Sequence, residues 1–310
     1  MIKLYRNDEI IREKWDAFIS KSINKTIFAY SWYLDTISEN WSALILDDYY
    51  VVMPFVHTKK YMIEYIYMPF SVQKFGVFYQ KKEDEIYVEE FIELLSKKFK
   101  LINLSLNNIL SIKLCKFKVN YKSNFELDIN KPYDEISRSY KKLLKRKLKK
   151  AENLNLTISE DGDFTQFITL RKSISKKNKN YQIKESSATK LLSIFEKAFK
   201  EKRARVFYAY KNTILCAMVL FLSADGRIVI YPASNEIGKK ENAIPLIIDH
   251  FIKINANNKL VLDFAGSCIQ GVAFFNKSFG SKETFYSYLE KKSLIQFIYN
   301  FISKFKLSFL

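Results

Sequence analysis

Three apolar runs in close succession, joined by two-residue turns, constrain the fold of this chain more than any other feature. They are rich in β-branched and aromatic residues and span positions 204–210, 213–223 and 226–234. The dipeptides Lys211-Asn212 and Asp225-Gly226 stand between them. Such dipeptides are typical of tight hairpin turns. The pattern therefore predicts three successive strands joined as hairpins.

The segments after the third strand alternate between helix and strand. Residues 243–257 carry apolar side chains at helical spacing, 259–266 form an apolar strand, 271–280 a short helix and 282–291 a final strand. The predicted order is β-β-β-α-β-α-β. A mixed pattern also fills roughly the first 130 residues, where 84–99 form the clearest amphipathic helix.

These elements predict an α/β fold of the mixed α+β kind. At 310 residues the chain is long enough for two tandem domains, each a mixed central sheet flanked by helices. We expect them at 1–132 and 133–292. Residues 293–310 are apolar and aromatic, with Lys304 and Lys306 as their only charges. This segment is expected to dock as a helix on the first domain, and peripheral contact with a membrane surface is the alternative.

Positive charge is the main compositional signal. Lys and Arg number 51 against 33 Asp and Glu, which gives a net charge of +18. An anionic partner explains this excess, and so does an AT-rich coding sequence, because Lys, Asn, Ile, Tyr and Phe are abundant together. Local clustering is more informative, since residues 133–152 are predicted as one long basic helix. Its basic segment, residues 138–150, holds eight cations: Arg138, Lys141, Lys142, Lys145, Arg146, Lys147, Lys149 and Lys150. The segment is either an anion-binding ridge or a solvated linking helix.

Several classes of chemistry are disfavoured by residue counts. The three cysteines, Cys115, Cys216 and Cys268, are widely spaced, so a disulfide framework is not expected and a reducing cytoplasm fits. His57 and His250 are the only histidines, which argues against a zinc site and against a Ser-His-Asp triad. We therefore expect no metal. The N-terminus lacks the apolar core of a signal peptide, and no apolar run reaches the ~18–20 residues of a membrane span.

One run carries a resemblance to a known family. Residues 262–280, LDFAGSCIQGVAFFNKSFG, resemble the C-terminal signature of the Fem-type branch of the GNAT acyltransferases. The matching positions are Asp263, Phe264, Gly266, Phe275, Phe279 and Gly280. The lysine of that signature is replaced by Asn276, with Lys277 next to it. Residues 69–79 are similar to the first-domain stretch of these proteins, and the similarity in order and spacing covers most of the chain.

The resemblance implies two tandem GNAT-like domains and an N-acyltransferase. The expected reaction moves an acyl group from acyl-CoA to an amine of a cell-envelope precursor or metabolite, in the cytoplasm or at the inner face of the membrane. An aminoacyl-tRNA-dependent transferase that builds peptidoglycan bridges is the first alternative. The second alternative is a non-catalytic binder of anionic RNA or of a membrane surface, because the change to Asn276 departs from the family pattern.

Amide formation requires a neutral amine and stabilisation of the developing oxyanion, but no metal. The candidate catalytic residues are Asp263, which could take the amine proton, Tyr231, which could protonate the leaving group, and the acceptor-facing pair Asn276 and Lys277. Each has a structural alternative: Asp263 as an inter-strand or capping group, Tyr231 as a core-edge residue and Lys277 as a solvated side chain.

Donor and acceptor contacts are predicted at two further places. Gly238, Lys239, Lys240 and Asn242 lie in a predicted loop before the helix near Ala243, where free N–H groups and a glycine with positive φ could hold a diphosphate. A surface turn is the alternative. The candidate acceptor contacts are Gln73, Lys74 and Ser267, with a tight turn as the alternative for the first two.

Overall fold

The computed structural model of the chain describes residues 1–60, 62–110, 117–175, 183–265 and 269–291. It consists of two units, Met1–Lys122 with the described residues from Phe285 onward, and Ser123–Thr284. The sequence places the expected division at residue 132, whereas the units divide at residue 122. The chain returns to the first unit at Phe285. The predicted C-terminal helix at 293–310 lies outside the described residues.

The first unit contains a mixed sheet in the order β1-β2-β3-β4-β5-β12. Neighbouring strands are antiparallel except for β4 and β5. Its strands are β1 (Ile2–Arg6), β2 (Trp41–Leu46), β3 (Val51–Lys60), β4 (Ile63–Ile66), β5 (Leu101–Leu106) and, through Ser287–Lys291, β12 (Lys282–Lys291). Its helices are α1 (Arg12–Lys21), α2 (Ser31–Ile37) and α3 (Val88–Lys98). The predicted helix at 84–99 is thus confirmed from Val88, after a 3-10 turn.

The second unit contains a mixed sheet in the order β6-β11-β10-β9-β8-β7. Only the pair of β10 and β11 is parallel. The strands are, through Ser123–Asp128, β6 (Lys118–Asp128), then β7 (Leu156–Asp161), β8 (Ala204–Lys211), β9 (Ile214–Ala224), β10 (Arg227–Ser234) and β11 (Val261–Asp263). The helices are α4 (Tyr133–Arg138), α5 (Lys142–Glu152), α6 (Phe167–Ser175), α7 (Glu185–Lys200), α8 (Glu236–Lys240), α9 (Ala243–Asn255) and α10 (Gln270–Ser278). The three predicted hairpin strands are confirmed as β8, β9 and β10.

The two faces of this second sheet carry different helices. Ile228 and Ile230 of β10 belong to a buried cluster with residues of α5 and α9. Tyr231 points to the opposite face, because successive strand residues alternate. There its ring meets Phe195 of α7, which in turn meets Phe167 of α6. One face is therefore covered by α5 and α9, and the other by α6 and α7.

The prediction of one long helix at 133–152 is wrong. The helix is interrupted after Arg138, and Lys141 is extended, with φ −64° and ψ 148°. Two contacts from other parts of the unit explain the interruption. The Lys141 N–H bonds the Ser278 carbonyl at 2.9 Å, and the Tyr140 ring packs on Phe279 with centroids 5.6 Å apart. Packing against α10 thus overrides the helical preference of the local sequence.

Among the helices that the structure describes, none combines the length and the apolar character needed to cross a bilayer.

A buried carboxylate links α4 to α9. Asp249 accepts hydrogen bonds from the Tyr133 hydroxyl at 3.0 Å on both of its oxygens. Burial raises the pKa of Asp249, and Glu152 adds to the rise, while the hydrogen bonds from Tyr133 and the charge of Lys253 oppose it. The ionised form is therefore disfavoured in the folded state.

This shift predicts a pH-dependent stability. The folded pKa of Asp249 lies above the unfolded one, so its contribution is present below about pH 4 and is lost as the pH rises through the folded value. We expect wild type to lose stability relative to Asp249→Asn between pH 4 and 7 in urea unfolding. Tyr133→Phe should enlarge that loss, since the phenol favours the ionised carboxylate. Parallel pH profiles for wild type and Asp249→Asn would contradict this.

Candidate functional site

The two parallel strands of the second unit separate after three residue pairs. Arg227, Ile228 and Val229 of β10 are in register with Val261, Leu262 and Asp263 of β11. Beyond this point β10 continues to Ser234, whereas the chain after Asp263 stays paired with β6 alone, where the Phe264 N–H bonds the Phe125 carbonyl at 3.0 Å. The carboxyl ends of two parallel strands thus diverge, with α9 in the connection between them. Such positions are where open α/β sheets bind ligands.

Asp263 stands at this divergence and is 1% exposed. Its carboxylate accepts hydrogen bonds from Asn124 Nδ2 at 2.9 Å and from the Ala265 N–H at 3.1 Å. Arg227 Nη1 lies 3.6 Å from its other oxygen and 2.8 Å from Glu126. The carboxylate is therefore part of a network that joins β6, β10 and β11. This arrangement matches the inter-strand alternative, because one carboxylate oxygen accepts two hydrogen bonds and the other faces the Arg227 guanidinium.

Tyr231 lies one pleat further along the same face as Asp263. Val229, the partner of Asp263, and Tyr231 are two residues apart on β10, so their side chains share a face. Tyr231 is half-buried, and its ring meets that of Phe195 edge-on at 5.5 Å. The structure therefore brings together two of the predicted catalytic residues, with Tyr231 at the point where β11 no longer accompanies β10.

The predicted donor loop has a different conformation from the one expected. Residues 236–240 form the short helix α8, in which the Asn235 side chain accepts the Gly238 N–H at 2.9 Å. Gly238 is buried and helical, so the expectation of a positive φ there is wrong. It is needed because a Cβ at this position would overlap the backbone of Cys216. The left-handed residue is Asn242, with φ 59°.

Charges around the start of α9 are mixed. Lys239 and Lys240 are exposed, as expected. Glu241, however, is buried, and one of its oxygens pairs with Lys211 Nζ at 3.2 Å. A buried carboxylate immediately before the helix opposes the binding of a diphosphate there, and Pro245 lacks an N–H. A donor phosphate at this helix start remains a proposal, supported by the two exposed lysines.

The residues at the family's lysine position face inward or are paired. Asn276 is 2% exposed on α10. Lys277 forms an ion pair with Glu283 at 2.8 Å, and its ammonium lies 5.2 Å from the centre of the Phe125 ring. Asn276 is therefore withdrawn from solvent, whereas Lys277 is exposed and engaged in its ion pair. The geometry fits the structural reading of Lys277.

The remaining predicted acceptor contacts are in dense packing or outside the description. Lys74 of the first unit is 5% exposed, with its ammonium 5.8 Å from the centre of the Tyr286 ring. Gln73 precedes Lys74 in the chain. The Phe75 N–H donates to the Ser105 carbonyl of β5, and the Phe75 carbonyl accepts from the Asn107 N–H. This segment therefore runs along β5 as packed structure. Ser267 and Gly266 lie outside the described residues.

Sequence reasoning missed Arg171, which lies on α6 close to Tyr231. The Tyr231 phenol influences its pKa, and burial dominates that pKa. Its Nε is buried and has no hydrogen-bond partner among the described residues. A signal was present in the sequence, since Arg171 follows Phe167 by four positions and so occupies the inward face of an amphipathic helix.

The basic segment at 138–150 is confirmed as exposed and without carboxylate partners. Seven of its eight cations are exposed, and Lys147 is half-buried. Within the described ranges no Asp or Glu lies within ion-pair distance of any of them. The undescribed positions contain no Asp or Glu in the sequence. Intramolecular side-chain pairing therefore does not account for this charge.

Comparison with known proteins identifies the fold. No protein-family model matches the chain, and no curated protein matches it. Among solved structures it is similar to FemX, with a TM-score of 0.67 and 12% identity over 97% of this chain and 99% of that one. It is similar to the C-terminal domain of a putative lysylphosphatidylglycerol synthetase from Agrobacterium fabrum, with a TM-score of 0.56 and 8% identity over 91% and 92%. A tandem GNAT protein from the clavulanic acid biosynthesis pathway matches with a TM-score of 0.50 and 6% identity over 94% and 99%.

These likenesses, at such low identity, show the fold alone. The fold is of the Fem/GNAT type, a mixed α/β architecture with two GNAT-like domains, as the sequence predicted.

Proposed function

Because the chain has a Fem/GNAT-type fold, we propose that it is an N-acyltransferase that moves an acyl group from acyl-CoA to an amine. The observation that carries the proposal is the separation of β10 and β11 after Val229 and Asp263. One of the similar structures belongs to a putative lysylphosphatidylglycerol synthetase, which supports an acceptor that is a component of the cell envelope.

The divergence offers a binding mode for the donor. Alternate residues of β10 beyond Val229 direct their N–H and C=O groups toward the side that β11 has left. The amide-containing arm of acyl-CoA can pair with these groups as an added strand. One N–H then points at the acyl carbonyl oxygen and stabilises the charge that develops there. In this mode the diphosphate extends toward Lys239 and Lys240.

The chemistry balances with few side chains. The neutral amine attacks the thioester carbonyl carbon, the C–N bond forms and the C–S bond breaks. The nitrogen loses one proton to solvent, and the CoA thiolate takes up one proton as it leaves, so that no net proton is released. Tyr231 lies two residues beyond the last pair of β10 and β11 and is our candidate for the proton donor. Asp263 has a positioning role in this scheme, since its network holds the strand end in place.

The proposal predicts measurable donor binding by the full chain. In calorimetry, wild type should bind acetyl-CoA or a longer acyl-CoA. Lys239→Ala/Lys240→Ala should weaken binding by up to about tenfold, since two exposed charges together contribute about 1.4 kcal/mol or less. Tyr231→Phe should lower kcat and leave donor affinity unchanged. Lys142→Ala/Lys145→Ala, in the basic segment, is the matched control and should bind acyl-CoA like wild type. No binding of either acyl-CoA by wild type would overturn the proposal.

A second candidate donor is aminoacyl-tRNA, which the unpaired basic segment favours. The same two double variants test it with their roles exchanged. If tRNA is the donor, Lys142→Ala/Lys145→Ala should reduce the dependence of log affinity on log salt by about 1.5, at roughly 0.7–0.9 per charge. Lys239→Ala/Lys240→Ala should then have the smaller effect. A wild-type protein that binds neither donor, but retains RNA or anionic vesicles, would favour the non-catalytic alternative.

A further inference from the structure

Arg171 belongs to an aromatic wall beside the diverging strands. It follows Phe167 by one helical turn on α6, which packs against β10. The Phe167 ring contacts Phe195 at 5.0 Å, and Phe195 contacts Tyr231 at 5.5 Å. Arg171 therefore projects toward the same face of β10 as Tyr231. Arg171 is half-buried, so part of the residue remains open to solvent.

This guanidinium has no carboxylate partner within the described chain. Its Nε is buried and makes no hydrogen bond there. Side-chain carboxylates from the undescribed positions are excluded by composition, because those positions contain no Asp or Glu. Four other arginines of the described ranges have such partners: Arg12 with Asp35, Arg203 with Asp225, Arg205 with Glu160 and Arg227 with Glu126.

Such a position is unfavourable for folding alone. Burial lowers the pKa of Arg171, and the Tyr231 phenol opposes the fall only in part. A guanidinium stays charged in proteins, so its burial without a counter-ion costs stability. An oxyanion that arrives with a ligand would remove that cost.

We infer that Arg171 binds the carboxylate of the amine acceptor, which is thereby an amino acid or a peptide with a free carboxylate. The inference rests on the proposed function for the identity of the ligand as the acceptor. One planar fork with a single positive charge matches one carboxylate in charge and geometry. A phosphate would call for a second cation, and the neighbouring Lys172 is already paired with Glu185 at 2.8 Å. The amine of the bound acceptor is then directed toward Tyr231.

The test compares amines that differ only in the carboxylate. L-lysine is paired with cadaverine, and L-alanine with ethylamine, and binding to the full chain is measured by ligand-observed NMR without any acyl-CoA. Wild type should bind at least one carboxylate probe about tenfold more tightly than its decarboxylated counterpart. Arg171→Met should bind both members of the pair equally. Loss of the preference in this variant supports the inference; a preference that persists, or wild type that shows none, overturns it.

Thermal unfolding shows whether the variant is folded, and the direction of the change in melting temperature is an independent test. Arg171→Met should have the same melting temperature as wild type or a higher one, because an uncompensated charge is removed. Arg205→Met is the matched control, since it breaks the two-point pair with Glu160. It should melt at a lower temperature and keep the carboxylate preference. If acyl-CoA fails to bind but the preference is present, the proposed donor is wrong and Arg171 still recognises carboxylates. If acyl-CoA binds and the preference is absent, this inference alone fails.

Discussion

Replacing Asp263 by Ala should destabilise the protein by about 3–5 kcal/mol, because it leaves the buried Asn124 and the half-buried Arg227 without the carboxylate that they share. The side chain is 1% exposed, so water does not substitute for it. Arg227 keeps its contact with Glu126 at 2.8 Å, which limits the loss to one side of the network. Guanidinium chloride unfolding of the full chain measures the change.

The matched control is an aspartate in a solvent-accessible pair. Asp225 pairs with Arg203 at 3.0 Å, and its side chain is 40% exposed. Asp225→Asn should therefore cost no more than about 1 kcal/mol. Asp263→Asn keeps the shape and removes the charge, and it should fall between the two. If Asp263→Asn unfolds like wild type and yet loses turnover, the carboxylate acts on the amine, and its structural assignment is wrong.

Replacing Gly238 by Ala should cost about 3 kcal/mol, because the added methyl meets backbone and no flexible side chain. A Cβ at this position overlaps the Cys216 carbonyl oxygen, approaches its carbonyl carbon to 2.8 Å and comes within 3.2 Å of Ser234 Cβ. The helix α8 would have to move away from β9 to accept it. Thermal unfolding should show a clear drop in melting temperature.

The matched control is Gly271, where replacement by Ala should raise the melting temperature instead of lowering it. It lies in α10, and a Cβ there meets nothing within 4 Å. Gly271→Ala should raise stability by about 0.5–1 kcal/mol, since alanine loses less backbone entropy in a helix. A shift of the same sign in both variants would show that packing against Cys216 does not determine the cost at Gly238.

Local patterns predicted the parts of the fold that local interactions determine. The hairpin strands β8, β9 and β10 follow from side-chain composition and from the turn dipeptides Lys211-Asn212 and Asp225-Gly226. The interruption of the helix at Ser139–Lys141 was not predictable in this way. It depends on the Ser278 carbonyl and the Phe279 ring, which lie more than 130 residues away.

The candidate site shows the same division. The strand and the short helix within 259–280 were predicted, because they are local elements, and they correspond to β11 and α10. The environment of each side chain depended on remote partners. Asp263 contacts Asn124 and Arg227, and Lys277 contacts Glu283. The sequence around Asp263 and Lys277 does not indicate these contacts, so it could not exclude a direct role with substrate. Arg171 was identifiable in principle as a charged residue on the apolar stripe of α6.

The return of the chain to β5 has a consequence for synthesis on the ribosome. Ser287–Lys291 of β12 pair with Ile102–Leu106, and about 180 residues separate the two segments. At roughly 5–20 residues per second, one edge of β5 waits about 10–35 s for its partner after it is made. The unit Ser123–Thr284 is continuous in sequence and is synthesised during that interval. Almost the whole second unit therefore leaves the ribosome before the sheet of the first unit can be completed, and until then the unpaired edge of β5 is open to aberrant pairing with other chains.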